Sequence, residues 1–287
     1  MIQIGDIQIH LINDCESLVD PGGMFGLVPR VLWSRYSTPN EDQLITSAAT
    51  CLFVQVGDQK IVIDTGYGTK IASDDMQKTH LYRPNGGLIE GLARLGVLPD
   101  DITLVIDTHL HSDHAGGNTK WNDDKSGVLP VFPNAEYVVQ QREYEDAMRP
   151  NERTRATYYP FNYEPLVKSG QMRLLNGDVD LASGVRGIIT RGHTPAHMSI
   201  RFESNGEHGA FLCDMASRAV HFERIAWMTA YDVEPLYTLE TKREWQRWAL
   251  ETNAIVIFPH DPDRPLGRLT QNERGHIVLD PIDEPYV

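Results

Sequence analysis

Cysteine is scarce. The 287 residues contain three, Cys15, Cys51 and Cys213, odd in number and far apart, so no disulfide framework is expected and a reducing compartment is the default. Long apolar runs are missing too: none reaches the roughly 18 residues of a membrane-crossing helix. The first residues, Met1-Ile2-Gln3-Ile4-Gly5-Asp6, lack the basic stretch and apolar core of a secretory leader, which makes a cytoplasmic protein the expectation. Positive charge is short as well, with 26 Lys and Arg against 40 Asp and Glu and a formal net charge of −14. Such a surface repels nucleic-acid backbones and anionic membranes, leaving a small, neutral or weakly polar molecule as the expected partner.

A hydrophobic content of 41% is ample for a sizeable core, and one domain spanning residues 1–287 is expected. The densest chemistry lies where an apolar run stops. Leu104-Val105-Ile106 reads as a buried strand, and His109, His111, Asp113 and His114 follow at its end, on the kind of strand-end loop where α/β proteins keep their chemistry. The Ala115-Gly116-Gly117-Asn118 tail is expected to turn tightly and open a helix beneath them. A His-rich surface loop accounts for one or two histidines but poorly for His-x-His-x-Asp-His behind a hydrophobic strand.

Further along, the pattern recurs. A hairpin over 50–63 delivers Asp64, a helix over 87–96 follows, and a strand ends at His109; a second hairpin over 198–213 delivers Asp214, a helix over 238–250 follows, and a strand ends at His260. The intervals are nearly equal, 109 − 64 = 45 and 260 − 214 = 46. Two similar halves with stacked sheets and outer helices would bring both sets of strand ends to one edge. His193, between Gly192 and Thr194-Pro195, also closes an apolar run. His109, His111, Asp113, His114, His193, Asp214 and His260 are too many for one tetrahedral zinc but suit two neighbouring divalent cations sharing a carboxylate and a water. Asp64 is expected behind a ligand histidine, holding its second ring proton, with a plain turn-capping role as the competing reading.

Other segments say less. Asp20–Trp33 has neither helical nor strand periodicity and reads as a lid, an oligomer contact compatible with a homodimer, or a loop whose aromatics plug the core. Arg142, Glu143 and Glu145 read as a solvated helix face, and 149–165 offers little chemistry. His197, His221 and the remaining histidines are expected in surface or hydrogen-bonding roles. Cys213, beside Asp214, reads as buried packing rather than a ligand, since strand alternation would point it away.

Thr108-His109-Leu110-His111-Ser112-Asp113-His114-Ala115-Gly116-Gly117-Asn118, then Gly192-His193-Thr194-Pro195, Asp214 and His260 together resemble the metallo-β-lactamase-fold hydrolases, over nearly the whole chain. The resemblance implies an α+β fold, a four-layer αββα sandwich. It places His109, His111 and His193 on one ion, Asp113, His114 and His260 on the other, and Asp214 between them. The spacings look most like the lactonase and organophosphate-hydrolase branch, the methyl parathion hydrolase-like enzymes. There a hydroxide shared by the two cations would open lactones or cleave related esters, with phosphotriesters as a side activity, while Asp214 or Asp113 relays the proton. Zinc is the first expectation for the metals; manganese, cobalt and iron accept the same donors. A glyoxalase-II-like thioesterase is the alternative, although no basic patch for an acidic thiol carrier is evident. Acyl-homoserine lactonases often carry a tyrosine three residues past the bridging aspartate, where this chain has Ser217. Met24, Phe25, Trp33, Phe222 and Trp227 are the candidates for the substrate pocket.

Overall fold

The computed structural model describes residues 1–71, 76, 80–284 and 286–287. The central strands are apolar runs buried on both faces, and their successive side chains, pointing to opposite faces, build the layers. One sheet runs in the order β1 (Ile2–Ile4), β2 (Ile7–Val19), β3 (Ile45–Val56), β4 (Gln59–Ile63), β6 (Leu104–Ile106), β9 (Glu136–Gln140) and β10 (Met172–Leu175), with β5 (Leu81–Tyr82) paired to β2. The other runs β11 (Val179–Ala182), β12 (Val185–Ile189), β13 (Met198–Ser204), β14 (Glu207–Phe211), β15 (Ile255–Ile257), β16 (Leu266–Gln271) and β17 (Ile277–Pro281). A small ribbon pairs β7 (Thr119–Trp121) with β8 (Val128–Pro130).

Ile7, Ile9, Leu52, Val54, Ile61, Ile63 and Ile106 of the first sheet meet Met198, Ile200, Phe202, Phe211 and Ile257 of the second in one buried core. Residues of opposite parity, Phe53, Val62, Val105 and Val139, face outward onto Leu88 and Leu92 of the helix Leu88–Arg94. On the far side Ala210, Val256 and Phe258 pack against Trp245 and Ala249 of the helix Pro235–Thr252. Each fully buried aliphatic side chain contributes about 1.5–3 kcal/mol, and a strand slipped by one residue would exchange its two faces. This is the expected αββα arrangement.

The two halves follow the same course. In the first, the β3–β4 hairpin leads through the helix Leu88–Arg94 to β6, parallel to β4. In the second, the β13–β14 hairpin leads through the helix Pro235–Thr252 to β15, parallel to β14. Local departures from expectation are small. Residues 2–12, whose apolar and polar residues alternate like one strand, fall in two strands reversed at Gly5-Asp6. The helix expected after Ala115-Gly116-Gly117-Asn118 instead begins within the motif, at Ser112–Ala115, and those residues continue as a tighter turn.

Asp20–Trp33 is not irregular: it forms two short helices, Pro21–Phe25 and Arg30–Trp33. Asp20 caps the first by accepting from the Gly22 N–H at 2.6 Å, which satisfies one of the orphan donors at the helix start. Phe25 stacks on Trp33 at 5.3 Å, and with Met24, Ile45 and Val220 they form a buried plug, while Leu27 and Val31 face outward.

Candidate metal centre

The seven expected residues meet at the strand ends. His109 and His111 leave β6, His193 sits in the turn between β12 and β13, Asp214 in the turn after β14, and His260 lies just past β15. Donor atoms of His109, His111, His193 and Asp214 lie within 4.8 Å of one another, and so do those of Asp113, His114 and His260. Asp214 spans both groups: Oδ2 is 3.2 Å from His193 Nε2 and 3.6 Å from His114 Nε2, and Oδ1 is 3.0 Å from His260 Nε2.

Outer partners hold the ring protons. His114 Nδ1 donates to Asp64 Oδ2 at 2.9 Å, His193 Nδ1 to Asp232 Oδ1 at 3.0 Å, and His260 Nδ1 to the Ala48 carbonyl at 2.6 Å. When these three rings are neutral, their Nε2 atoms are inward-facing lone pairs. Yet His114 Nε2 is 3.2 Å from His260 Nε2, and His193 Nε2 is 3.1 Å from His111 Nδ1. Neutral rings aimed at one another and at a carboxylate in a buried site repel unless a proton or a cation lies among them, and imidazole with carboxylate is a donor set for divalent transition metals. Burial, reinforced by His193, pushes His111 down to about 3, so it stays a neutral donor. Burial alone would raise Asp214, but positive charge at His260, His193 and His114 holds it well below the usual carboxylate range, and cations held by the same rings would supply that charge.

The surrounding groups explain the aim of the donors. Asp64 sits just past β4 at φ 55° and accepts from the Thr108 N–H at 2.8 Å and its hydroxyl at 2.9 Å as well as from His114. It thus both caps a turn and orients a ring. Gly192, at φ 150°, lies so close to the helix Pro235–Thr252 that an added Cβ would sit 2.3 Å from Thr238 Oγ1. Its carbonyl accepts from Glu234 N–H and that of His193 from Val233 N–H, which seats His193 beside Asp232. His197 is buried; its Nε2 accepts the Asp214 N–H at 3.1 Å, and its Nδ1 is 2.7 Å from Thr190 Oγ1.

Three expectations need correction. Glu143 is not solvated: it has no exposure, and its carboxylate accepts from the Leu110 N–H (3.1 Å), the Tyr158 hydroxyl (3.0 Å) and the Thr194 hydroxyl (2.5 Å). Burial pushes its pKa up, against the pull of those donors. The 149–165 region does carry part of the site, since Tyr158 packs on His111 at 4.9 Å and Thr157 lines the cleft. Arg153 from the same region binds the carbonyls of Ala230 and Asp232. Cys213 is packed in the core as expected, but strand alternation is not what places it. Its strand has ended at Phe211, it lies in a turn at φ 48°, and its Sγ is 3.0 Å from Thr108 Oγ1 and 3.3 Å from Asp64 Oδ2.

A cleft of about 210 Å³ opens over the centre, walled by Val19, Met24, Ser47, Tyr67, Thr157 and Tyr231 among others. Of the five pocket candidates Met24 alone lines it. Phe25, Trp33 and Trp227 pack behind Met24, with Phe25 and Trp227 lining a different groove, and Phe222 is fully buried against Phe258. Asp232 and Glu143 were missed because each is brought to the site by tertiary packing, without a strand end or local motif to mark it.

Paired sheets between helices, with five imidazoles and two carboxylates gathered at one edge, define a metal-binding αββα sandwich. The chain belongs to the metallo-beta-lactamase superfamily, whose family model matches residues 45–260. It is similar to an N-acyl homoserine lactonase of a Bacillus species, 26% identical over 248 residues that cover 80% of this chain and 88% of the relative. Among solved structures it resembles a probable metal-dependent hydrolase from Staphylococcus aureus, 28% identical with a TM-score of 0.87, covering 99% of this chain and 100% of the other. The fold is also that of AidC, a dizinc quorum-quenching lactonase, at 18% identity and a TM-score of 0.79 over 99% of this chain and 97% of that one.

Proposed function

We propose that this protein is a metal-dependent hydrolase that opens lactones or cleaves related carboxylic esters at a centre of two divalent cations, zinc first. The observation that carries the reading is Asp214, one oxygen toward His193 and His114 and the other toward His260, amid inward lone pairs whose protons are held outside. His109, His111 and His193 would hold one cation, Asp113, His114 and His260 the other, and Asp214 both. Cations bound there supply a hydroxide at neutral pH and a Lewis acid for the substrate oxygen. Asp64, Asp232 and the Ala48 carbonyl fix the tautomers so that the donors need no rearrangement. Asp113, whose side chain is 26% exposed, stands at the cleft and can take up and pass on a proton as the ester is cleaved.

The lactonase relative supports lactones over other esters. Among the described residues no Lys or Arg lines the cleft, which disfavours a thioesterase acting on an acidic thiol carrier. The test is metal analysis of protein purified without added metal, followed by a panel of lactones, aryl esters, thioesters and phosphotriesters. Lactone and ester turnover with about two metal ions per chain is expected, and His109→Ala or Asp214→Ala should abolish it while the fold persists. Full activity in either variant, or turnover confined to thioesters, would overturn the reading.

A further inference from the structure

Most hydroxyls around the cleft are short or already committed. Ser217 donates to Asp214 Oδ1 at 3.3 Å; Thr229 donates to Asp232 at 3.0 Å and Thr157 to the Thr154 carbonyl at 2.8 Å. Tyr231 is half exposed, and its hydroxyl lies against Gly23, where an added Cβ would sit 2.1 Å away.

Tyr67 differs on each count. It lines the cleft with Asp113, Asp214 and His260, and its hydroxyl has no hydrogen-bond partner among the described residues. Its backbone is clamped: the N–H groups of Tyr67 and Gly68 both donate to Asp14 Oδ2, at 3.0 and 3.3 Å, and the buried Asp14 is itself paired with Arg83 at 3.2 Å. The turn is welded to the metal-centre motif. Thr65 N–H donates to the His114 carbonyl at 2.6 Å, and Gly68, at φ 65°, approaches so closely that a Cβ would lie 2.6 Å from the Gly116 carbonyl. Tyr67 packs with Cys15, Ala49 and Leu81. Burial, with Asp113 the strongest of the surrounding charges, keeps the phenol protonated well beyond its ordinary range.

A rigid, protonated, uncommitted phenol on the Asp113 side of the cleft suits the oxygen that gains charge as the acyl–oxygen bond breaks. Resting on the ester-hydrolase reading above, we propose that Tyr67 is a catalytic residue whose hydroxyl donates a hydrogen bond to the leaving-group oxygen of the bound lactone or ester. The proton stays on Tyr67, and the bond it makes strengthens as negative charge collects on that oxygen.

The experiment compares wild type with Tyr67→Phe on two substrates sharing one acyl chain, a lactone or alkyl ester that expels an alkoxide and a nitrophenyl ester that expels a stable phenolate. With the alkyl substrate kcat should fall by about 100-fold with little change in KM. With the nitrophenyl ester the fall should be less than about fivefold, since that leaving group needs little stabilisation. Metal content and the unfolding midpoint should be unchanged, because the ring packing is retained. Equal rates for the two proteins, or an equal loss on both substrates accompanied by lost metal, would overturn the inference while leaving the ester-hydrolase reading standing. Failure of wild type to cleave either substrate would overturn that reading and this inference with it.

Discussion

Replacing Glu143 tests whether the centre depends on a carboxylate that never touches it. Glu143 ties together the backbone between His109 and His111, the residue after His193, and the tyrosine packed on His111. In Glu143→Ala the hydroxyls of Tyr158 and Thr194 can rotate toward new partners, but the Leu110 N–H, buried completely, cannot. An orphaned buried donor costs about 1–3 kcal/mol, and the vacated side-chain volume adds roughly 1–2 kcal/mol. Relief from burying a charge returns part of this, so a net loss of about 2–4 kcal/mol is expected. Glu143→Gln keeps an oxygen for Leu110 and Tyr158 while Thr194 turns from donor to acceptor, so the loss should be nearer 1 kcal/mol. Because three loops of the centre hang on this group, Glu143→Ala should also weaken metal binding by about 10–100-fold, and the Gln variant far less. Urea unfolding of the metal-free protein and competition with a chromogenic chelator measure the two effects separately. Alanine at this position with wild-type stability and wild-type metal affinity would refute the argument.

Two further outcomes follow from the same network. Asp232→Asn leaves an amide that can turn its oxygen to His193 Nδ1 but loses the charge that aligns the ring; metal retention should drop by roughly tenfold with little change in melting temperature, and unchanged retention would show that His193 aims itself. Lys242 has no exposure, donates to the carbonyls of His221 and Trp227, and is pushed down by burial to about 8 from 10.5, Asp232 partly opposing the shift. Between those values the unfolded chain binds more protons than the folded one, so this group's contribution to stability rises with pH through that window, by roughly 3 kcal/mol in all. The stability of wild type relative to Lys242→Met should therefore increase from pH 8 toward 10.5, and a pH-independent difference would contradict it.

The fold and the seven converging groups were legible because both write themselves into local sequence. Short apolar runs mark buried strands, and a polar cluster directly after such a run marks a strand end; His109 and His260 each lie three residues past their strands, Leu104–Ile106 and Ile255–Ile257. Glu143 was illegible for the opposite reason. On a helix with Arg142 and Glu145 beside it, only the position of the 110, 158 and 194 loops decides that this one carboxylate is buried. Phe25, Trp33, Phe222 and Trp227 show another limit: apolar composition announces burial, but a ring that walls a cavity and a ring that supports the wall have the same sequence signature. Cys213 is buried as expected, but not through strand alternation, which does not carry two residues beyond the last strand residue into a turn of left-handed φ.

The near-repeat also accounts for why its two aspartates have different places. Both follow the second strand of a hairpin whose neighbour is a parallel strand ending in a histidine. Asp64 comes one residue after β4, so its carboxylate is still beneath the sheet edge and meets the outer nitrogen of His114. Asp214 comes three residues after β14, and the extra turn through Leu212 and Cys213 lifts it past the edge to the inner nitrogens of His193, His114 and His260. The thiol of Cys213 then fills the space under the centre beside Asp64. A difference of two residues in otherwise parallel halves thus separates a carboxylate that orients a donor from one that stands among them, and a symmetric pair of short turns would have left the inner lone pairs without their central acid.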